Sequence, residues 1–201
     1  MNRLLRIFVV FSAFVAVFGM ACPAFAGAQG KKVLMIVAKS DFEQNEYTDT
    51  FNALEGSGAV CTVASSKVGT LKGHKGKRVE STLLIKDANP ADYDAIVIIG
   101  GNGIKKEWEN EDAHNVVRQA AADGKIVAAI CAAPGLLAYS GVLDGKKATA
   151  HPKSGARQVM GSHGCDYQSD SVVVDGNIIT ANGPKAASKF GEAIVSALSN
   201  S

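Results

Sequence analysis

Cys131 closes an apolar run, Ile126 to Ile130, and opens onto Ala132, Ala133, Pro134 and Gly135. A strand that turns sharply into a helix drives its corner residue toward strained backbone angles, which is tolerable only with small residues two before and two after it. Ala129 and Ala133 satisfy that condition. This is the pattern of a nucleophile elbow, in which the corner side chain projects over the amino end of the next helix. The dipole and free N–H groups there favour a thiolate over a thiol, so Cys131 in that position is expected to be reactive. The competing interpretation is an ordinary buried cysteine at a strand end, because free cysteine is among the most buried residue types.

Three other places fall at the ends of predicted strands and could meet Cys131. Glu43 and Glu46 lie three residues apart in the run Asp41 to Glu46, where capping and dipole pairing at a helix start explain them as readily as catalysis. Gly100, Gly101 and Asn102 form either a plain turn or, with the N–H of Ala132, an oxyanion hole, since glycine lets backbone N–H groups approach a ligand. His151, followed by Pro152, is either a hydrogen-bonded structural residue or an imidazole that serves the thiol.

The elements that must position these residues alternate. Val33 to Ala38, Val60 to Ala64, Ala95 to Ile99 and the run into Cys131 read as buried strands, and Lys147 to Ala150 as a short one that meets His151. Helical patterns fall at Glu46 to Leu54, Glu111 to Ala122, from the elbow to near Gly141, at Lys153 to Met160 and at Lys185 to Leu198. Val172 to Val174 and Ile178 to Thr180 flank Asp175 and Gly176 and predict a hairpin. Near-continuous apolar strands alternating with helices predict an α/β chain with a mostly parallel sheet covered on both faces. Its reactive groups should gather at the carboxyl ends of the strands.

The start of the chain has Arg3 and Arg6, an apolar stretch from Ile7 to about Met20, and Ala24-Phe25-Ala26 before Gly27. These are the parts of a secretory signal peptide over residues 1–26, with residues 27–201 as one exported domain, periplasmic or secreted, with no membrane attachment after cleavage. The formal charge of +2 falls to neutrality without the two arginines, so nothing calls for nucleic acid or anionic lipid as a partner. The basic cluster Lys72, His74, Lys75, Lys77 and Arg78 is expected to be a solvated loop. An exported chain with Cys61, Cys131 and Cys165 keeps at least one thiol unpaired, and a Cys61–Cys165 disulfide would leave Cys131 free. Gly101 and Gly103 lack the third glycine of a dinucleotide fingerprint, and there is no phosphate-loop pattern. The His163-x-Cys165 spacing is only a weak metal signal, so no metal and no cofactor is expected.

Taken together, the Glu43–Glu46 segment, Gly100-Gly101-Asn102, Ala-Ile-Cys131-Ala-Ala-Pro, His151-Pro152 and Asn182-Gly183-Pro184 resemble the ThiJ/PfpI superfamily, nearest the branch of the parkinsonism-associated protein deglycase. The resemblance runs from Lys32 to Leu198. It implies a flavodoxin-like three-layer α/β sandwich, a homodimer, and an oxidation-prone cysteine paired with a glutamic acid. Carried over by residue, it makes Cys131 the nucleophile, Glu46 the partner acid, His151 the nearby imidazole, and Gly101 and Ala132 the backbone donors beside Asn102. Glu43 takes the family's other acidic position, behind the pair. Protease-like members carry histidine directly after the cysteine, where this chain has Ala132, and Lys105 stands where their acid would originate. Peptidase activity is thereby disfavoured. Amidotransferases need a His-x-Glu pair, whereas Pro152 and Lys153 follow His151. Asn182 replaces the arginine usual before Gly-Pro in the nearest branch.

A carboxylate beside a thiolate repels it, so the stable arrangement is a shared proton, with a neutral glutamic acid of raised pKa donating to sulfur. The two groups then titrate as a unit. The spacing leaves open whether Glu46 or Glu43 touches the sulfur. Such a pair suits a cofactor-independent enzyme of glyoxalase or deglycase type, acting on an aldehyde or glycated substrate and taking a 2-oxoaldehyde to a 2-hydroxy acid. It equally suits a redox sensor or holdase switched by oxidation of Cys131.

Overall fold

A computed structural model describes residues 27–201; the expected signal peptide, residues 1–26, lies outside the described residues. The first half of the chain runs β1 (Lys32–Ile36), β2 (Ser40–Phe42), α1 (Gln44–Gly56), β3 (Val60–Ser65), β4 (Gly69–Gly73), β5 (Arg78–Ser81), β6 (Leu83–Leu84) and β7 (Ala95–Ile98). The second half continues with α2 (Glu111–Ala122), β8 (Ile126–Ile130), α3 (Pro134–Tyr139), β9 (Lys147–Ala148), α4 (Ala156–Ser162) and β10 (Asp166–Tyr167). It closes with β11 (Val172–Asp175), β12 (Ile178–Ala181) and α5 (Ala187–Ser199).

Seven strands form the central sheet in the order β11-β12-β8-β7-β1-β3-β6. Only the β11–β12 pair is antiparallel, so the sheet is mostly parallel as its apolar runs require. Every residue of β7 and β8 is buried. From β1 the chain steps through α1 to β3 in one direction, and from β7 it steps through α2 to β8 in the other. Right-handed crossovers in opposite directions place their helices on opposite faces, which makes three layers. The reversal falls between β1 and β7, and the crevice beyond the carboxyl ends of these strands is where such sheets bind ligands. Glu43 and Glu46 follow β1 and β2, Gly100 to Asn102 follow β7, and Cys131 follows β8.

Two expectations need correction. The basic cluster at 72–78 is not a plain loop: Lys72 lies in β4 and Arg78 in β5, antiparallel neighbours in a second sheet ordered β2-β4-β5. Leu71 and Val79 are the buried alternates of these strands, and the charges between them obscured the period of two. The helix expected from Lys153 instead starts at Ala156, because Gly155 adopts a left-handed conformation, φ 85°, that a helix cannot include. Cys61, Cys131 and Cys165 are all free thiols. Among the described residues no helix is long and apolar enough to cross a membrane.

Candidate active site

Cys131 and Asp41, at φ 66° and 58°, are the non-glycine residues with positive φ among the described residues. Such a conformation costs on the order of 1–3 kcal/mol and persists only where the surroundings over-determine it. Here they do. The Cys131 N–H donates to the Ala181 carbonyl in β12 at 2.8 Å, and its carbonyl accepts from the His151 N–H at 2.8 Å. The peptide that follows is trans, so with its carbonyl turned to His151 its Ala132 N–H points the other way, toward the sulfur.

Glu46 is fully buried on the first turn of α1. Its Oε2 accepts from the Gly100 N–H at 3.1 Å and its Oε1 has no hydrogen-bond partner; the carboxyl and Cys131 flank Gly100, close enough for each group to shift the other's titration. Glu43 does something else: it caps α1, its Oε2 accepting from the Glu46 N–H at 2.8 Å. The acid on the sulfur is therefore Glu46, which the spacing alone had left open.

Burial pushes the Glu46 carboxyl up to about 8, with the nearby charge of Glu43 adding to it against the Cys131 side chain and the hydrogen bond from Gly100. Burial, followed by the charge of Glu46, pushes the Cys131 thiol up to about 12, against the N–H groups of Gly101 and Ala132. Both shifts favour the protonated forms, against the thiolate expected from the helix dipole: α3 has six residues, and burial of Cys131, a residue 8% exposed, opposes the charged form. Each charge raises the other group, so the pair gives up one proton first and shares the remaining one.

Above the sulfur is a cleft of about 380 Å³, lined by Cys131, Gly101, Asn102, Ala132, His151 and, on its acidic side, Asp41 and Glu43. All the residues expected at the site from sequence reach it except Glu46, which lies beneath its floor. Gly101 must be glycine, because its φ is 108° and a β-carbon there would lie 2.5 Å from the Glu43 nitrogen. The Nδ1 of His151 accepts from the Lys153 N–H at 3.2 Å, so a neutral ring carries its proton on Nε2. Asn102 is exposed at the rim.

His74 also lines the cleft and was missed. It sits between β4 and β5 with Nδ1 3.4 Å from the Phe42 carbonyl and 3.8 Å from Glu43 Oε1, both acceptors. No local pattern marks it, because the hairpin that presents it reads as a charged loop. His163 and Cys165 turn to separate carbonyls, those of Val159 and Lys146, rather than toward each other. A larger cleft, about 640 Å³, lies between α1 and α5 near Asn52 and Glu192 and is lined by no cysteine or histidine.

Gly100 separates the two members of the pair. A β-carbon there would lie 2.5 Å from Glu46 Oε2 and 2.6 Å from both the Cys131 β-carbon and the Ile130 carbonyl oxygen. Gly100→Ala is expected to cost about 1–3 kcal/mol by overpacking and to slow alkylation of Cys131. Thermal unfolding and iodoacetamide labelling of one preparation check both effects.

A model of the DJ-1/PfpI family matches residues 31–197. The chain is 35% identical over 153 residues to a protein of Pyrococcus horikoshii named a deglycase, covering 76% of this chain and 90% of that one. It is 29% identical over 171 residues to a Caenorhabditis elegans protein named a glutathione-independent glyoxalase, covering 85% and 90%. Among solved structures, a ThiJ/PfpI domain protein of Brachyspira murdochii superimposes with a TM-score of 0.82 at 26% identity, over 86% of this chain and 99% of that one.

Proposed function

This chain belongs to the DJ-1/PfpI family, and from that premise we propose that it is a cofactor-independent enzyme acting on reactive carbonyl compounds, small aldehydes or their glycation adducts. The observation that carries the proposal is the buried Cys131–Glu46 pair, sharing protons beneath a cleft that Gly101 and Ala132 supply with N–H donors. The deglycase and glyoxalase relatives support the same substrate chemistry.

The sulfur of Cys131 attacks the aldehyde carbon of a 2-oxoaldehyde. A C–S bond forms, the C=O π pair moves onto oxygen beside the N–H groups of Gly101 and Ala132, and Glu46 relays the thiol proton to that oxygen. The product is a hemithioacetal. Glu46, as carboxylate, then takes the proton from the sulfur-bearing carbon while His151 Nε2–H protonates the ketone oxygen, which gives an enediol. Return of a proton to the second carbon and loss of one from the first hydroxyl leave a thioester of the 2-hydroxy acid. Water cleaves it, so the sum is 2-oxoaldehyde plus water to 2-hydroxy acid, with the thiol restored. We also propose that the enzyme is exported, which the basic, apolar and small-residue run of 1–26 supports, and that it works as a homodimer like the members it resembles.

The test is to incubate reduced protein with methylglyoxal, without glutathione, and to assay lactate across pH. Lactate is expected, with kcat/KM rising as pH passes through about 8 and the pair gives up its first proton. Intact-mass spectrometry after mild peroxide supplies the opposing result. A gain of two oxygens at Cys131 in a protein that turns over no aldehyde would replace the enzyme with a redox sensor.

A further inference from the structure

The two N–H groups beside the sulfur come from different strands, Gly101 after β7 and Ala132 after β8. The ladder that joins these strands ends at the Ile98–Ala129 pair, short of both donors. A contact across that gap comes from Trp108, the only tryptophan of the chain: it follows the 3-10 turn Gly103–Glu107 that leaves the Gly101 corner, and its Nε1–H donates to the Ala132 carbonyl at 2.9 Å.

The backbone of this residue is held as well. The Trp108 main-chain carbonyl accepts from Nε2 of His114, in α2, at 2.7 Å. The neighbouring Glu107 is buried and accepts from the Ser66 hydroxyl and the Asn110 side-chain amide, each at 2.7 Å. The Nε1, Cε2 and Cζ2 atoms of the indole lie against Gly135, where a β-carbon would overlap Cε2 and come within 2.7 Å of Nε1. Glycine at 135 therefore makes room for the hydrogen bond to Ala132.

We infer that Trp108 is a positioning residue for this site, tying the loop that carries Gly101 to the peptide that carries Ala132 and so fixing the spacing of the two donors. This rests on the proposed carbonyl chemistry, in which those donors receive charge that develops on oxygen. An interaction made with the oxyanion alone affects kcat and leaves ground-state binding untouched. The same N–H groups support the sulfur anion, so the pH profile of thiol alkylation reports their alignment without any turnover.

The experiment compares Trp108→Phe, which keeps a ring and loses the donor, with Gly135→Ala, which displaces the indole without altering it. Because the donors are misaligned rather than removed, each variant is expected to lower kcat by about tenfold, with KM within about twofold, and to move iodoacetamide labelling of Cys131 to higher pH. Thermal unfolding verifies that both are folded; should Gly135→Ala fail, Trp108→Phe carries the test. Unchanged kcat and an unchanged labelling profile in the folded variants overturn the inference. If the parent protein turns over no aldehyde, the proposed function fails, and the labelling profile still decides the role of Trp108.

Discussion

Serine at position 131 is expected to lower production of the 2-hydroxy acid by on the order of 1000-fold or more while leaving the protein folded, as loss of a covalent nucleophile does elsewhere. A hydroxyl holds its proton far more tightly than a thiol, and its oxygen is the poorer nucleophile toward a carbonyl carbon. The substitution removes little else. The positive φ of residue 131 is imposed by backbone bonds from β12 and His151, which a serine retains, and its hydroxyl can still meet the Glu46 carboxyl. Melting temperature should therefore change little while turnover collapses. Lactate formed at the parental rate by Cys131→Ser would reject the covalent mechanism. The same variant should also lose the two-oxygen mass gain after peroxide.

Glu46→Gln separates proton transfer from hydrogen bonding. Glutamine keeps the size and can donate N–H to the sulfur, but it moves no proton, so turnover should fall by roughly 100-fold or more. Stability should respond in the opposite sense. In the folded chain the Glu46 carboxyl holds its proton up to about 8, against 4.5 when exposed. Between those values the folded state binds a proton that the unfolded state has released. The stabilisation is thus complete below 4.5, declines as pH rises toward about 8, and is absent above it. Glutamine does not titrate. Glu46→Gln should accordingly gain on the parent by a few kcal/mol between pH 5 and 9, approximately, with Cys131 sharing in the titration. Melting curves at those two pH values test this, and parallel behaviour of parent and variant would show that Glu46 is not held neutral.

Much of the sheet was legible because burial on both faces leaves a continuous apolar run, as in Ile126–Ile130 and Ala95–Ile98. The elbow was legible for a related reason: crowding at a kink is relieved only by small neighbours, and Ala129 and Ala133 state it within five residues. The β4–β5 hairpin was not legible, since its core contribution is as little as Leu71 and Val79 among lysines, an arginine and glycines. With it His74 was lost from the site.

By itself, then, the order of residues determined the alternation of elements, the corner that bears the sulfur and the short list of groups able to serve it, because backbone strain and strand burial act over a few neighbouring positions. Tertiary structure decided which of Glu46 and Glu43, left open by their spacing, lies against Cys131, that burial raises the thiol as well as the carboxyl, and that the Trp108 indole donates to the Ala132 carbonyl. Those outcomes depend on desolvation and on contacts between segments far apart in the chain, and neither leaves a mark at the residues concerned.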